Sequence, residues 1–242
     1  MPPLPSPSED SGHDPVIKQV IQTFVAEFFD LFYPDIAARL DFATVKWLDK
    51  EVFTDPPGGN QRTADLVAQV HTKNGQPEIL LLHIEPQRKR EKDFACRVFE
   101  YWFLLRQRYN FAVLPVAVYL SPGAGGIVSE MYGETLFGEV QLSFRYRVVG
   151  LPDLLDSDYE TRDNPLALGV SALMREQKRY SRAKGSDNVT RRLRLLRRLV
   201  KTNLDTNRQA YLYALVEKYL PLTPAERVEY NRVLAKLAYQ SF

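Results

Sequence analysis

Two carboxylates and one amide lie on neighbouring β-rich segments of the sequence. Asp65 stands among apolar residues in the segment 64–68, and Glu85 follows the segment 79–84, which holds five apolar residues and a histidine. An ionised carboxylate in apolar surroundings is costly unless it is paired or bound to a cation. Because side chains alternate along a strand, Glu85 and Gln87 face the same side. The sequence therefore predicts that Asp65, Glu85 and Gln87 converge on one divalent cation.

A polar turn at residues 73–76 joins the two segments. It contains Asn74-Gly75, and both residues tolerate the positive φ that tight hairpin turns require. With a two-residue loop, the sequence numbers of the two residues in each cross-strand pair would sum to 149, and Asp65 and Glu85 would lie on opposite faces. A three-residue loop centred on Gly75, or one bulge, makes the sum 150 and sets the two acids directly opposite each other. We therefore expect the longer loop or the bulge.

The elements around this hairpin follow from apolar spacing. A helix is predicted from Pro15 to about Tyr33, with Glu27 at the rim of its apolar stripe. A second helix ends near Tyr109 and carries an aromatic stripe that indicates core packing, and residues 111–120 form the next strand. A helix between two such strands predicts a parallel βαβ unit, although Pro115 argues against a central position for the later strand. Residues 142–149 alternate and predict a last strand, while 34–55 stay open between helix and strand.

One short motif resembles a known family. An acid on one strand, a hairpin, and then Glu-x-Gln on the next strand is similar to the PD-(D/E)XK nucleases. Residues 83–87, His-Ile-Glu-Pro-Gln, look like the variant found in the recombination-promoting nuclease and putative transposase (Rpn, YhgA-like) family, and the likeness spans about residues 13–151. Ala64 stands where that superfamily has its name-giving proline, and Gln87 replaces the lysine. The resemblance implies an α/β fold with a mixed sheet flanked by helices.

The resemblance also implies a reaction, the metal-dependent hydrolysis of DNA by an endonuclease. Asp65 and Glu85 would hold Mg²⁺ or Mn²⁺, the backbone carbonyl of Pro86 is an additional candidate ligand, and the Gln87 amide would position the water or a phosphate oxygen. A helix acid joins the metal cluster in many of these enzymes, so Glu27 is a further candidate, with a solvated rim glutamate as the alternative. The alternative function is a catalytically silent nuclease-fold module that binds DNA or protein partners.

Basic residues are concentrated near the C-terminal end of the chain. Residues 178–201 hold ten basic side chains against one acid, a local charge of +9, whereas the whole chain of 242 residues has a net charge of +2. This segment predicts a basic surface that binds along the phosphate backbone of nucleic acid, with a solvated helix face as the alternative. The candidate nucleic-acid-binding residues are Arg191, Arg194, Arg197 and Arg198.

Composition limits the other classes of function. A single cysteine excludes an internal disulfide and fits a cytoplasmic protein, and the longest apolar run is too short for a bilayer, which needs ~20 residues. No glycine-rich phosphate loop is present, so a nucleotide cofactor is not expected. We expect a disordered leader at residues 1–12, a nuclease-like α/β domain at 13–155 and a helical C-terminal subdomain at 156–242 that carries the basic segment. DNA is the expected partner, and a homodimer is left open.

Overall fold

A computed structural model of the chain describes residues 15–48, 66–85, 93–175 and 187–240. These residues form a mixed six-stranded sheet with helices on both faces, so the predicted α/β class is confirmed. The helices are α1 (Pro15–Thr23), α2 (Val25–Phe32), α3 (Pro34–Ala37), α4 (Phe94–Tyr109), α5 (Pro165–Val170), α6 (Asp187–Leu199), α7 (Thr206–Tyr219) and α8 (Pro224–Gln240). The strands are β1 (Leu40–Trp47), β2 (Leu66–Thr72), β3 (Pro77–Glu85), β4 (Ala112–Tyr119), β5 (Ile127–Leu136) and β6 (Glu139–Gly150).

The strand order is β1-β2-β3-β4-β6-β5. β1, β2 and β3 pair antiparallel, β3 and β4 pair parallel, β4 and β6 pair parallel, and β5 pairs antiparallel with β6. Because α4 connects β3 to its parallel neighbour β4, the predicted βαβ unit is confirmed. Residues 34–47, left open by the sequence, form α3 and β1.

β4 occupies a central position in spite of Pro115. The ladder with β3 runs along all of β4, but the ladder with β6 begins only at Val116. Pro115 therefore lies where β4 has one strand partner among the described residues, so its missing N–H leaves the β4–β6 ladder intact.

The two faces of the sheet pack against different helices. Even-numbered residues of β2 and β4, such as Ala68 and Val118, share one buried cluster with α1, α2 and the C-terminal helices α5 to α7. Odd-numbered residues, such as Val67 and Ala117, pack against α4. The first cluster contains residues from before position 155, such as Phe28 of α2, and residues from after it, such as those of α5 to α7. The predicted domain limit at position 155 stays a prediction. None of the described helices combines the length and apolar character needed to cross a membrane.

Candidate functional site

The carboxyl ends of three parallel strands meet at one edge of the sheet. Glu85, the last residue of β3, is opposite Tyr119, the last residue of β4, and Tyr119 is opposite Gly150, the last residue of β6. Open α/β sheets bind their ligands at the carboxyl ends of the strands. The backbone of Glu85 therefore lies at the edge of the sheet that suits ligand binding.

The β2–β3 turn is a three-residue loop, 73–75. The N–H of Thr72 donates to the carbonyl oxygen of Gln76 at 2.8 Å, and the N–H of Gly75 donates to the carbonyl oxygen of Thr72 at 2.8 Å. Gly75 has φ +87°, in the left-handed region that favours glycine. The predicted loop length is confirmed, but the loop is centred on Asn74 and not on Gly75.

This shift in the loop changes the register of the hairpin. Val67 is opposite Leu81 and Gln69 is opposite Ile79, so the numbers of paired residues sum to 148, and the predicted sum of 150 is wrong. The sum is nevertheless even, as the hypothesis of two acids on one face requires. Odd-numbered positions of β2 and β3 therefore share a face along the described part of the hairpin.

The face that carries position 85 is the one covered by α4. In the parallel ladder, positions 83 and 85 of β3 are opposite Ala117 and Tyr119, which both pack on α4. The ring of Tyr119 is buried, and its centroid lies 5.2 Å from that of Phe94 at the start of α4. The guanidinium carbon of Arg97 lies 5.6 Å from the centroid of the Phe94 ring. The Arg97 guanidinium therefore packs on Phe94, and Phe94 packs on Tyr119, which is opposite the last residue of β3.

Several predicted site residues fall outside what the structure describes. Asp65, Pro86 and Gln87 lie outside the described residues, and Glu85 is described only through its backbone. The described side chains include no group of three or more His, Cys, Asp or Glu residues suited to a metal ion, but they do not include Asp65 or Glu85. The convergence of Asp65, Glu85 and Gln87 and the binding of Mg²⁺ or Mn²⁺ therefore stay predictions.

Glu27 lies in the other layer of the molecule. Its carboxylate forms an ion pair with Arg208 of α7, and its backbone carbonyl accepts a hydrogen bond from the Asn164 side chain at 2.9 Å. Arg208 in turn lies 4.2 Å over the ring of Phe24. Since α2 packs with the even-numbered face, the structure does not bring Glu27 to the α4 face that carries position 85.

Three of the four candidate nucleic-acid-binding arginines bind acids within the chain. Arg191 is 8% exposed, donates to the carbonyl oxygens of Ser171 and Met174, and lies 3.3 Å from the Asp156 carboxylate. Burial of this guanidinium does not suit contact with nucleic acid. Its bonds instead fix α6 to the segment 171–174.

Arg194 and Arg198 complete this network. Arg194 donates to the Glu160 carboxylate at 2.9 Å and lies 3.5 Å from Asp156, and Arg198 donates to the backbone carbonyl of Glu160. Both acids are buried, at 3% and 8% exposure, so they require such partners. Arg197 is exposed, and its nucleic-acid contact stays a prediction.

The sequence analysis missed Asp156 and Glu160. They lie directly after the predicted domain limit at position 155, in the segment 151–163. That segment carries five acids against one arginine, and this charge is complementary to the basic segment 178–201. Charge complementarity between the two segments was therefore the available signal.

Comparisons with known proteins give no relative: no family model matches the chain, and neither the curated proteins nor the solved structures contain a match.

Proposed function

We propose that this chain is a metal-dependent DNA endonuclease related to the recombination-promoting nuclease and putative transposase family, with a PD-(D/E)XK-type site. The observation that carries the proposal is the position of Glu85 at the aligned carboxyl ends of β3, β4 and β6. A hairpin, a crossing helix and a parallel strand surround that position, in a mixed sheet flanked by helices. A mixed sheet flanked by helices is the fold class that the resemblance implies.

Asp65 and Glu85 are the residues that would hold the cation. The proposal requires Asp65 to belong to the same face as Glu85, and the even register sum of the described hairpin supports this requirement. Carboxylate and amide oxygens are the hard donors that Mg²⁺ and Mn²⁺ prefer. When bound, the cation would acidify the attacking water and neutralise charge on the scissile phosphate. The Gln87 amide would orient that water or a phosphate oxygen.

Gln87 brings no positive charge to the reaction, unlike the lysine that it replaces. Arg97, in the first turn of α4, is a cation in the layer that covers the face of position 85. We therefore propose that Arg97 attracts the scissile phosphate, which is the electrostatic role that the lysine would have. Its planar guanidinium suits paired hydrogen bonds to phosphate oxygens.

The second candidate is a catalytically silent nuclease-fold module that binds DNA or protein. Gln87 at the lysine position favours it, because a glutamine neither carries charge nor transfers a proton at neutral pH. Such a module would keep the fold and the exposed Arg197 without a requirement for bound metal. DNA is the partner in the first candidate, DNA or a protein is the partner in the second, and a homodimer is a further proposal.

The test is nicking of supercoiled plasmid DNA in the presence of Mg²⁺. Asp65→Ala and Glu85→Ala should each lower the nicking rate by about 100-fold or more, because each removes a proposed metal ligand. Glu78→Ala is the matched control, since position 78 lies on the same strand at the opposite end, and it should nick like the wild type. Circular dichroism should show that all variants are folded. Undiminished nicking by both site variants would refute the proposal.

A further inference from the structure

The β5–β6 hairpin ends in an exposed phenylalanine with a left-handed backbone. Phe137 is 96% exposed with φ +53°, and Gly138 follows with φ +84°. Leu136 is opposite Glu139, so Phe137 and Gly138 form a two-residue loop with the geometry of a type I′ turn. Asn and Gly are the usual residues in this turn, whereas a bulky residue is strained at positive φ. Neither turn geometry nor packing against the described residues accounts for a phenyl ring here.

The surroundings of this ring indicate what it would bind. Leu136 and Val140 beside it are 54% and 70% exposed, which extends the apolar surface of the tip. Glu134 and Glu139 flank the tip and are also exposed. Acids at these positions repel DNA phosphates and anionic lipids. The hairpin tip therefore fits an apolar pocket with a basic rim on a protein.

The chain itself carries a pocket of this kind on its helical side. A groove of about 290 Å³ lies between α6 and α7, lined mainly by apolar side chains. Its lining residues are Leu196, Leu199, Val200, Thr206, Gln209, Ala210 and Tyr213. Val200 is 77% exposed, and a cavity of about 150 Å³ already suffices to hold benzene. The groove is therefore large enough for the ring of Phe137.

The rim of the groove has the complementary charge. Arg197 and Lys201 are both exposed, and each directly follows a groove-lining residue of the α6 segment in the chain. We propose that Phe137 of one copy of the chain inserts into the α6–α7 groove of a second copy, with the acids of the tip facing Arg197 and Lys201. This self-association requires neither a bound metal nor nuclease activity, but it shares Arg197 with the predicted contact to DNA.

The contact joins two unlike surfaces, and every copy carries both. A pair of copies related by a twofold axis would form the contact twice and close, whereas any other rotation would extend it into a ring or a chain. The mass of the assembly therefore reports which arrangement forms.

The experiment is sedimentation velocity of the full chain over a wide range of concentrations. The wild type should rise above the monomer mass of 27.9 kDa as concentration increases. Phe137→Asn should weaken association by about tenfold or more, because it removes the aromatic ring while asparagine suits the turn. Val228→Ser replaces a 70% exposed apolar residue on α8, and this control should associate like the wild type.

Charge exchange tests whether the groove is the surface that receives the tip. Glu139→Lys and Arg197→Glu should each weaken association, and the double variant should recover it. Ala210→Glu, which places an acid in the groove, should also weaken it. A monomeric wild type at every concentration would overturn the proposal, as would unaltered association of Phe137→Asn. Loss of association in Phe137→Asn without any effect of Arg197→Glu and Ala210→Glu would mean that the tip binds another surface of the second copy, and it would overturn the proposed groove equally.

Discussion

Replacement of Arg191 by alanine should strongly destabilise the fold. The guanidinium is buried, donates to the carbonyl oxygens of Ser171 and Met174, and lies 3.3 Å from the carboxylate of Asp156. Removal of one partner from a buried ion pair costs about 3–5 kcal/mol. Because Asp156 would keep Arg194 at 3.5 Å, we expect a loss near the lower limit, about 3 kcal/mol of the free energy of unfolding.

Urea unfolding followed by circular dichroism measures this loss. Arg197→Ala is the matched control, because it changes the same residue type on the same helix at an exposed position, and it should alter stability by no more than about 0.5 kcal/mol. In a DNA-binding assay the folded Arg197→Ala variant should bind more weakly and show a smaller salt dependence. Equal stability of the two variants would refute the role of Arg191 in fixing α6 to the segment 171–174.

Two further changes test the packing at the ends of the strands. A Cβ on Gly150 would lie 2.7 Å from the Cβ of Ala124, so Gly150→Ala should lower the free energy of unfolding by about 1–3 kcal/mol, and Ala124→Gly should relieve part of this loss in a double-mutant cycle. Tyr33 donates to the carbonyl oxygen of Val148 at 3.0 Å, and burial raises its pKa above the ordinary value of 10.0. A raised folded-state pKa stabilises the protein below pH 10, and this contribution declines as pH rises above 10. Tyr33→Phe should therefore cost about 1 kcal/mol at neutral pH and flatten the alkaline decline in urea midpoints; an unchanged decline would contradict this.

Short-range signals predicted the centre of the fold. The Asn-Gly turn, the apolar segment before Glu85 and the helix ending at Tyr109 each depend on neighbouring residues, so the hairpin and the βαβ unit follow from the sequence. The predicted register sum of 150 differs from the observed sum of 148 by two residues, because hydrophobic alternation fixes only whether this sum is odd or even. The bonds of Thr72 with Gln76, including one from the Gln76 N–H to the Thr72 hydroxyl at 3.0 Å, decide where the loop is centred.

β5 could not be predicted from apolar periodicity. It is an edge strand, and several of its apolar side chains, including Ile127 and Met131, are exposed. Its half-buried positions 128, 130 and 132 do alternate, but Glu130 stands among them and exposed apolar residues stand beside them, so apolar periodicity within β5 is weak.

The α6 arginines show the limit of counting charges along a sequence. A basic segment has the same composition whether its side chains face phosphates or buried acids. Asp156 lies 35 residues before its partner Arg191, and Glu160 lies 34 residues before its partner Arg194, so the pairing depends on the tertiary fold. Long-range charge complementarity, and not local charge, decides which of these arginines is available to a ligand.

Calorimetric titration of the chain with Mg²⁺, repeated with Mn²⁺, tests most directly whether Asp65 and Glu85 jointly bind a divalent cation. We predict one saturable binding event in the wild type and in the Glu78→Ala control, and its loss in both Asp65→Ala and Glu85→Ala. Binding that survives in both site variants, or a wild type that binds neither ion, would contradict the metal-dependent nuclease and favour the silent module.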